Sequence, residues 1–175
     1  MAMVVLVQTS EQLSPSARAA IIDLCAVAFD EPFERLFELL PGSCHLLAYD
    51  DERLVSHACW VTRWLQPAGL PPLRTAYVEA VATHPEWQRR GYGTLVMRRL
   101  AEEITAYDLG GLSPAVNPFY TRLGWEDWRG PTAIRAADGV LPTPEEEIMI
   151  LRTPQTPPLD LDVLITAEWR DGELW

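Results

Sequence analysis

The run Gln88-Arg89-Arg90-Gly91-Tyr92-Gly93 lies between a segment patterned as a strand and the start of one patterned as a helix. Glycines there admit backbone angles barred to other residues, so successive main-chain N–H groups can converge on an anion at the positive end of the following helix. Arg89 and Arg90 add positive charge. This is a pyrophosphate-binding arrangement, although a glycine-eased turn with exposed arginines has the same local sequence. Other chemistries fall away by residue type. All 14 basic residues are arginine, which excludes P-loop, Schiff-base and kinase-type lysines. Cys25, Cys44 and Cys59 lack CxxC spacing and read as buried thiols of a reducing compartment. His45, His57 and His84 are scattered, without the i, i+4 spacing that sets two imidazoles on one helical face, so no metal is expected.

The chain of 175 residues is long enough for one domain with a full apolar core, and 48% hydrophobic with 22% charged residues excludes disorder and low-complexity classes. Apolar runs such as 3–7 fall far short of the roughly 20 residues that cross a bilayer. With no leader pattern at the N-terminus, a cytoplasmic protein without a membrane partner is expected. A net charge of −11 argues against a nucleic-acid partner and suits a cationic small molecule. The acidity is concentrated late: from Glu126 to Trp175 there are eleven acidic and four basic side chains.

The elements that must position these groups follow from periodicity. Residues 3–8 read as a β-branched strand; Ser14-Pro15 then opens a helix over about 15–29 with a stripe of Ala19, Ile22, Ala26 and Phe29. A short helix at 32–40 ends at Pro41-Gly42. Residues 43–66 read as two strands around Asp50-Asp51-Glu52, with a loop too long for a tight primed turn. A strand at 74–83, a helix from about Gly91 to Tyr107 with Leu95, Val96, Leu100 and Ile104 inward, and a brief strand at 109–113 come next. A one-turn helix at 117–123 stopped by Gly124 leads to strands near 125–136 and 147–152. In the tail at 153–175, Leu159, Leu161 and Val163 alternate with Asp160 and Asp162, as in an added strand. The order predicts a mixed α/β sheet flanked by helices, in a single domain over 1–175.

The loop matches the Gln/Arg-x-x-Gly-x-Gly/Ala pattern, and with Asn117-Pro118-Phe119-Tyr120-Thr121-Arg122-Leu123-Gly124-Trp125 about thirty residues later it resembles the GNAT superfamily of acyl-CoA-dependent N-acetyltransferases. Four further stretches are similar to the aminoglycoside 2′-N-acetyltransferases of actinobacteria. They are Tyr77–Ala82, Gly124-Trp125 with Trp128-x-Gly130-Pro131-Thr132, Pro142-Thr143-Pro144 with its acidic run, and the ending from Trp169 to Trp175. The run Glu145-Glu146-Glu147 and Glu173 stand where that family favours aspartate, each a methylene longer, and the region 30–38 matches poorly.

The resemblance implies the GNAT fold, acetyl-CoA as cofactor, a homodimer, and an amine of a polycationic small molecule as acceptor. It implies cofactor binding by Val81, Ala82, Thr83, Gln88, Arg89, Arg90, Gly91, Tyr92, Gly93, Thr94, Asn117 and Tyr120. The Val81 N–H is the implied oxyanion donor, Tyr120 the general acid, and Glu79 or the carboxylate of Trp175 the base. Acceptor contacts are implied for Glu79, Glu146, Glu173, Trp175, Asp30 and Glu34, with the tail at 153–175 contributing to that site. Trp60, Trp64, Trp125 and Trp128 either line the acceptor cleft or pack in the core. Another amine acceptor (polyamine, metabolite or peptide terminus) and a non-catalytic acyl-CoA-binding module are the alternatives.

Overall fold

The computed structural model describes residues 4–172 and 174–175. The chain divides into two compact units, Met1–Val61 with Val78–Glu102 and Thr62–Tyr77 with Glu103–Trp175, the division falling within two long strands.

The first unit holds β1 (Val4–Thr9), α1 (Pro15–Phe29), α2 (Leu36–Leu39) and β2 (Cys44–Asp50). It also takes the start of β3 (Arg53–Pro67), the end of β4 (Leu73–Thr83) and most of α3 (Tyr92–Glu103). Ser14 caps α1 by accepting from the Ala17 amide at 3.1 Å, with Pro15 at the first helical position. Asp30 ends it in the left-handed region at φ 56°. β1 pairs antiparallel with β2, and β2 with β3 from Cys44↔Trp60 to Asp50↔Arg53.

Two expectations need correction here. The inward face of α1 is Ile21, Leu24 and Cys25, which pack with Leu13, Leu36, Leu47, Leu54 and Ala82, while Ala19 and Phe29 are exposed. The helix carries alanine and branched residues around most of its circumference, so two stripes compete, and the one bearing Leu24 buries more apolar area. The Asp50↔Arg53 pairing leaves only Asp51 and Glu52 in the hairpin loop, a tight turn that Asp51 permits by adopting φ 52°.

The second unit holds β5 (Leu109–Leu112), α4 (Asn117–Thr121), β6 (Glu126–Asp127), β7 (Thr132–Ala136), β8 (Gly139–Pro142), β9 (Met149–Arg152) and β10 (Ile165–Glu168). β4 runs parallel to β5 through Thr75↔Leu109 and Tyr77↔Gly111, and β10 runs parallel to β7. β9 is antiparallel to β5 and β6, β8 to β7, and β10 to β3. The pairing is therefore mixed, as expected.

β8 went unread in the sequence; the Ala136↔Gly139 pair closes a two-residue loop of Ala137 and Asp138, which lacks the usual Asn-Gly or Asp-Gly pair at its centre. The added strand in the tail is Ile165–Glu168 rather than Leu159–Val163. The Asp160 carboxylate accepts the Asp162 amide at 3.0 Å, and such a side-chain turn takes the backbone out of an extended course. No helix among the described residues is long and apolar enough to cross a membrane.

Candidate active site

In the first unit, β4 delivers the expected cofactor segment directly into the phosphate-type loop. Glu79, Val81 and Thr83 are half-buried and Ala82 is buried; Ala80 between them is left-handed at φ 49°, unusual for a residue with a side chain. Gln88 Nε2 donates to the Thr83 carbonyl at 3.3 Å, tying the loop to the end of the strand. Trp87 Nε1 donates to Asp50 Oδ2 at 2.7 Å, and Tyr92 also hydrogen-bonds this carboxylate. These two bonds hold the Asp50 carboxyl below its ordinary range. Arg53 lies over the Trp87 ring at 4.3 Å. The loop is thus fastened on both sides before any ligand arrives, by Asp50 and Trp87, which sequence spacing gave no means of pairing.

Within it, Arg89 and Gly91 are left-handed at φ 61° and 91°, and Arg89 and Arg90 are exposed. α3 begins at Tyr92, so the amides of Tyr92, Gly93 and Thr94 have no acceptor within the helix and sit at its positive end. Val96, Met97 and Leu100 form its buried stripe, with Leu95 only half-buried. Loop, helix end and arginines together fit a diphosphate. Asp30 and Glu34 are exposed near the α1–α2 connection; Asp30 serves there as the left-handed end of α1.

Two of the three histidines, His45 and His57, meet in space, while His84 stands elsewhere, on Arg53 and Trp87. His45 stands opposite Cys59 and His57 opposite Leu47 in the β2–β3 ladder, which sets His45, His57 and Cys59 on one face, their ligand-type atoms within 4.8 Å of one another. The rings are hydrogen-bonded, His45 Nδ1 to His57 Nε2 at 2.9 Å. Burial pushes His45 down to about 3, with help from His57 and Arg18, and His57 down to about 4 against the pull of its Ala80 hydrogen bond. Both are neutral at pH 7.

A histidine whose folded pKa is depressed is protonated more readily in the unfolded chain. Stability is then complete above the unfolded value near 6.5 and is lost as pH falls toward about 4 and then 3. Thermal melts should drop steadily between pH 6.5 and 5, above the window in which carboxylates titrate. A flat profile there would show that these imidazoles are not held in a dry core.

In the second unit, α4 carries Tyr120, 7% exposed and edge-on to Phe119 at 5.0 Å and Trp125 at 6.2 Å. Burial pushes its phenol up to about 12. Asn117 donates to Asp127 Oδ1 at 3.1 Å and Glu147 Oε2 at 3.4 Å, so its amide hydrogens face carboxylates. Glu146 is exposed beside them, its amide bonded to the Thr143 carbonyl at 3.1 Å. Trp175 is buried, with its indole N–H on Thr143 Oγ1 at 2.8 Å and its main-chain oxygen accepting from Arg170 at 3.2 Å. Arg63 supports the same segment, donating to the Leu174 and Glu168 carbonyls at 2.8 and 2.7 Å. Glu173 lies outside the described residues. Trp60, Trp125 and Trp128 are buried, while Trp64 is exposed.

A mixed sheet whose strand runs into a left-handed phosphate loop and a helix N-terminus defines an N-acyltransferase class. Residues 11–127 match the family described as "Acetyltransferase (GNAT) domain". The chain is 33% identical, over 97% of its length and 90% of the relative's, to an aminoglycoside 2′-N-acetyltransferase of Mycolicibacterium fortuitum. It therefore belongs to the GNAT acetyltransferase family and is an N-acetyltransferase. Two solved structures share the fold. An acyl-CoA N-acyltransferase from Pseudomonas aeruginosa has TM-score 0.61 at 14% identity, covering 86% of this chain and 99% of that one. Eis1 from Mycobacterium abscessus has TM-score 0.61 at 21% identity over 73% of this chain, which spans 32% of its length.

Proposed function

We propose that this chain transfers the acetyl group of acetyl-CoA to a primary amine of a polycationic small molecule, the 2′-amine of an aminoglycoside in the first place. The near full-length likeness to the Mycolicibacterium fortuitum enzyme carries this reading. The charge balance agrees with it, since a net −11 attracts ammonium groups.

Acetyl-CoA, when bound, supplies an acetyl thioester. The amides of residues 89–94 and the two arginines would hold its diphosphate, and the main chain around Val81–Thr83 would bind its pantetheine arm. The Val81 N–H donates to the thioester oxygen as negative charge grows there; a fixed donor of this kind is worth about 2.7–4 kcal/mol in the transition state. Glu79, through water, removes a proton from the acceptor ammonium to free the nitrogen lone pair, a role shared as a proposal with the Trp175 carboxylate. Tyr120 would give its proton to the departing thiolate sulfur as the C–N bond forms and the C–S bond breaks, and the second proton shed by the acylated nitrogen would return to the phenolate. Glu146, Glu173, Asp30 and Glu34 attract the acceptor's remaining ammonium groups.

Thiol release from acetyl-CoA across an amine panel tests the acceptor. Release with aminoglycosides that bear a 2′-amine, and none with those bearing a 2′-hydroxyl, is expected. Release with polyamines or peptide termini alone would replace the acceptor, and CoA binding with no release from any amine would leave a binding module. Gly91→Val tests the loop. No atom lies within 4 Å of where a Cβ would stand, so the effect comes from φ 91°, which a β-branched residue resists. CoA affinity by calorimetry should fall about 5- to 30-fold if the loop must absorb the roughly 1–2 kcal/mol that a left-handed L-residue costs. Unaltered affinity would move the diphosphate elsewhere.

A further inference from the structure

We infer that His57, supported by His45, is a positioning residue for the Val81 N–H; the inference rests on the reading of that amide as the oxyanion donor. The Ala80 carbonyl and the Val81 N–H belong to one peptide unit, and no cis peptide occurs among the described residues. In a trans peptide the two groups point in opposite directions, so whatever grips the Ala80 oxygen aims the Val81 hydrogen. His57 Nδ1 lies 2.9 Å from that oxygen. The same bond polarises the amide and strengthens its N–H as a donor.

The direction of the network follows from what each group can do. A carbonyl only accepts, so His57 carries its hydrogen on Nδ1 and leaves Nε2 bare. His45 Nδ1, 2.9 Å from that nitrogen, must then be the donor, which leaves His45 Nε2 bare in turn. Ser43 Oγ at 2.8 Å and Ser10 Oγ at 3.2 Å face it, each hydroxyl also having a carbonyl acceptor, Leu40 for Ser43 and Ser43 for Ser10. The ordered part of the network therefore runs from His45 through His57 to the Ala80 carbonyl, and both imidazoles are fully buried. It ends on a strained residue: Ala80 is left-handed, a conformation that persists only when its surroundings enforce it. Two further β3 side chains fix the flanking peptides, Cys59 Sγ on the Glu79 carbonyl at 3.5 Å and Ser56 Oγ on the Ala82 carbonyl at 3.0 Å.

His57→Phe keeps a planar ring and removes the donor, whereas His57→Asn sets an amide N–H about where Nδ1 stood. In His57→Phe, kcat should fall roughly 10- to 100-fold, a part of the 10²–10³ seen when an oxyanion donor is deleted outright. The KM for acetyl-CoA should stay within about threefold, and His57→Asn should recover most of kcat. The Val81 amide proton resonance, read without substrate, should move in His57→Phe and lie near wild type in His57→Asn. Equal loss of kcat in both variants, or an unmoved Val81 resonance, would overturn the inference. Should His57→Phe fail to fold, imidazole nitrogen spectra of the unaltered protein decide, both rings carrying hydrogen on Nδ1; a hydrogen on His57 Nε2 would overturn it. A wild-type protein that shows these resonances yet releases no thiol with any amine would instead defeat the transferase reading and leave the positioning intact.

Discussion

Tyr120→Phe should lower kcat by about 10²–10⁴, the span over which a positioned proton donor contributes, while leaving the KM for acetyl-CoA near its original value. The ring sits between Phe119 and Trp125 and is almost wholly buried, so phenylalanine preserves the packing and the melting temperature should change little. What it removes is one hydroxyl hydrogen. With the phenol raised to about 12 by burial, that hydrogen is in place throughout the neutral and mildly alkaline range. The loss in Tyr120→Phe should accordingly be the same at pH 6.5 and pH 9. A deficit that appeared only above some intermediate pH would indicate a different, titrating donor. Turnover equal to wild type would remove Tyr120 from the proton path, and a parallel loss of CoA affinity would make it a binding residue.

Legibility in the sequence follows the range over which each interaction acts. α1 was readable to the residue because its start is written locally, as a serine cap followed by proline. The left-handed turn into α3 was readable for the same reason, since glycine backbone freedom and a helix N-terminus both lie within six residues. Its fastening to Asp50 was not, because Trp87 and Asp50 meet only once β2 and the turn after β4 are folded beside one another. The histidine pair was misread on similar grounds. Two residues twelve apart are meaningless at helical spacing, yet the two-residue hairpin at Asp51-Glu52 together with a register shift between Ala48 and Tyr49 makes them diagonal neighbours on one sheet face. A tight hairpin alone would have paired His45 with Ala58 and set His57 on the opposite face; the irregularity that brings the rings together has no signal in the sequence. Trp175 is a further case: its place in an acceptor site came from family likeness alone, whereas of the two groups that hold it Arg170 is only five residues away but the Thr143 hydroxyl comes from a distant turn of the chain.

Gly130→Ala should be the most damaging single methyl in the second unit. A Cβ at that position would stand 1.9 Å from the Val163 carbonyl oxygen and 2.5 Å from its carbon. Both are main-chain atoms, so no side chain can swing away; the strand side at 128–131 and the tail at 161–165 must separate by more than an ångström. That separation strains everything joining them. The Arg129 and Gly130 amides both bond the Leu161 carbonyl at 2.9 Å, Trp128 Nε1 bonds the Val163 carbonyl at 2.8 Å, and the Ile165 amide bonds the Pro131 carbonyl at 2.9 Å. At about 1 kcal/mol for each bond lost, with the buried groups left unpaired adding to it, the cost is about 3–5 kcal/mol. For a chain of this size that corresponds to a melting temperature lower by roughly 6–20 °C. Because β10 follows directly on Leu164 and leads into the segment holding Trp175, which the proposed function sets at the acceptor, acceptor KM should rise in whatever fraction still folds, while CoA affinity, which it assigns to the loop at residues 88–93, should be preserved. An alanine variant that melts with wild type would mean that the two backbones part freely and that the close approach at Gly130 is not what seats the tail.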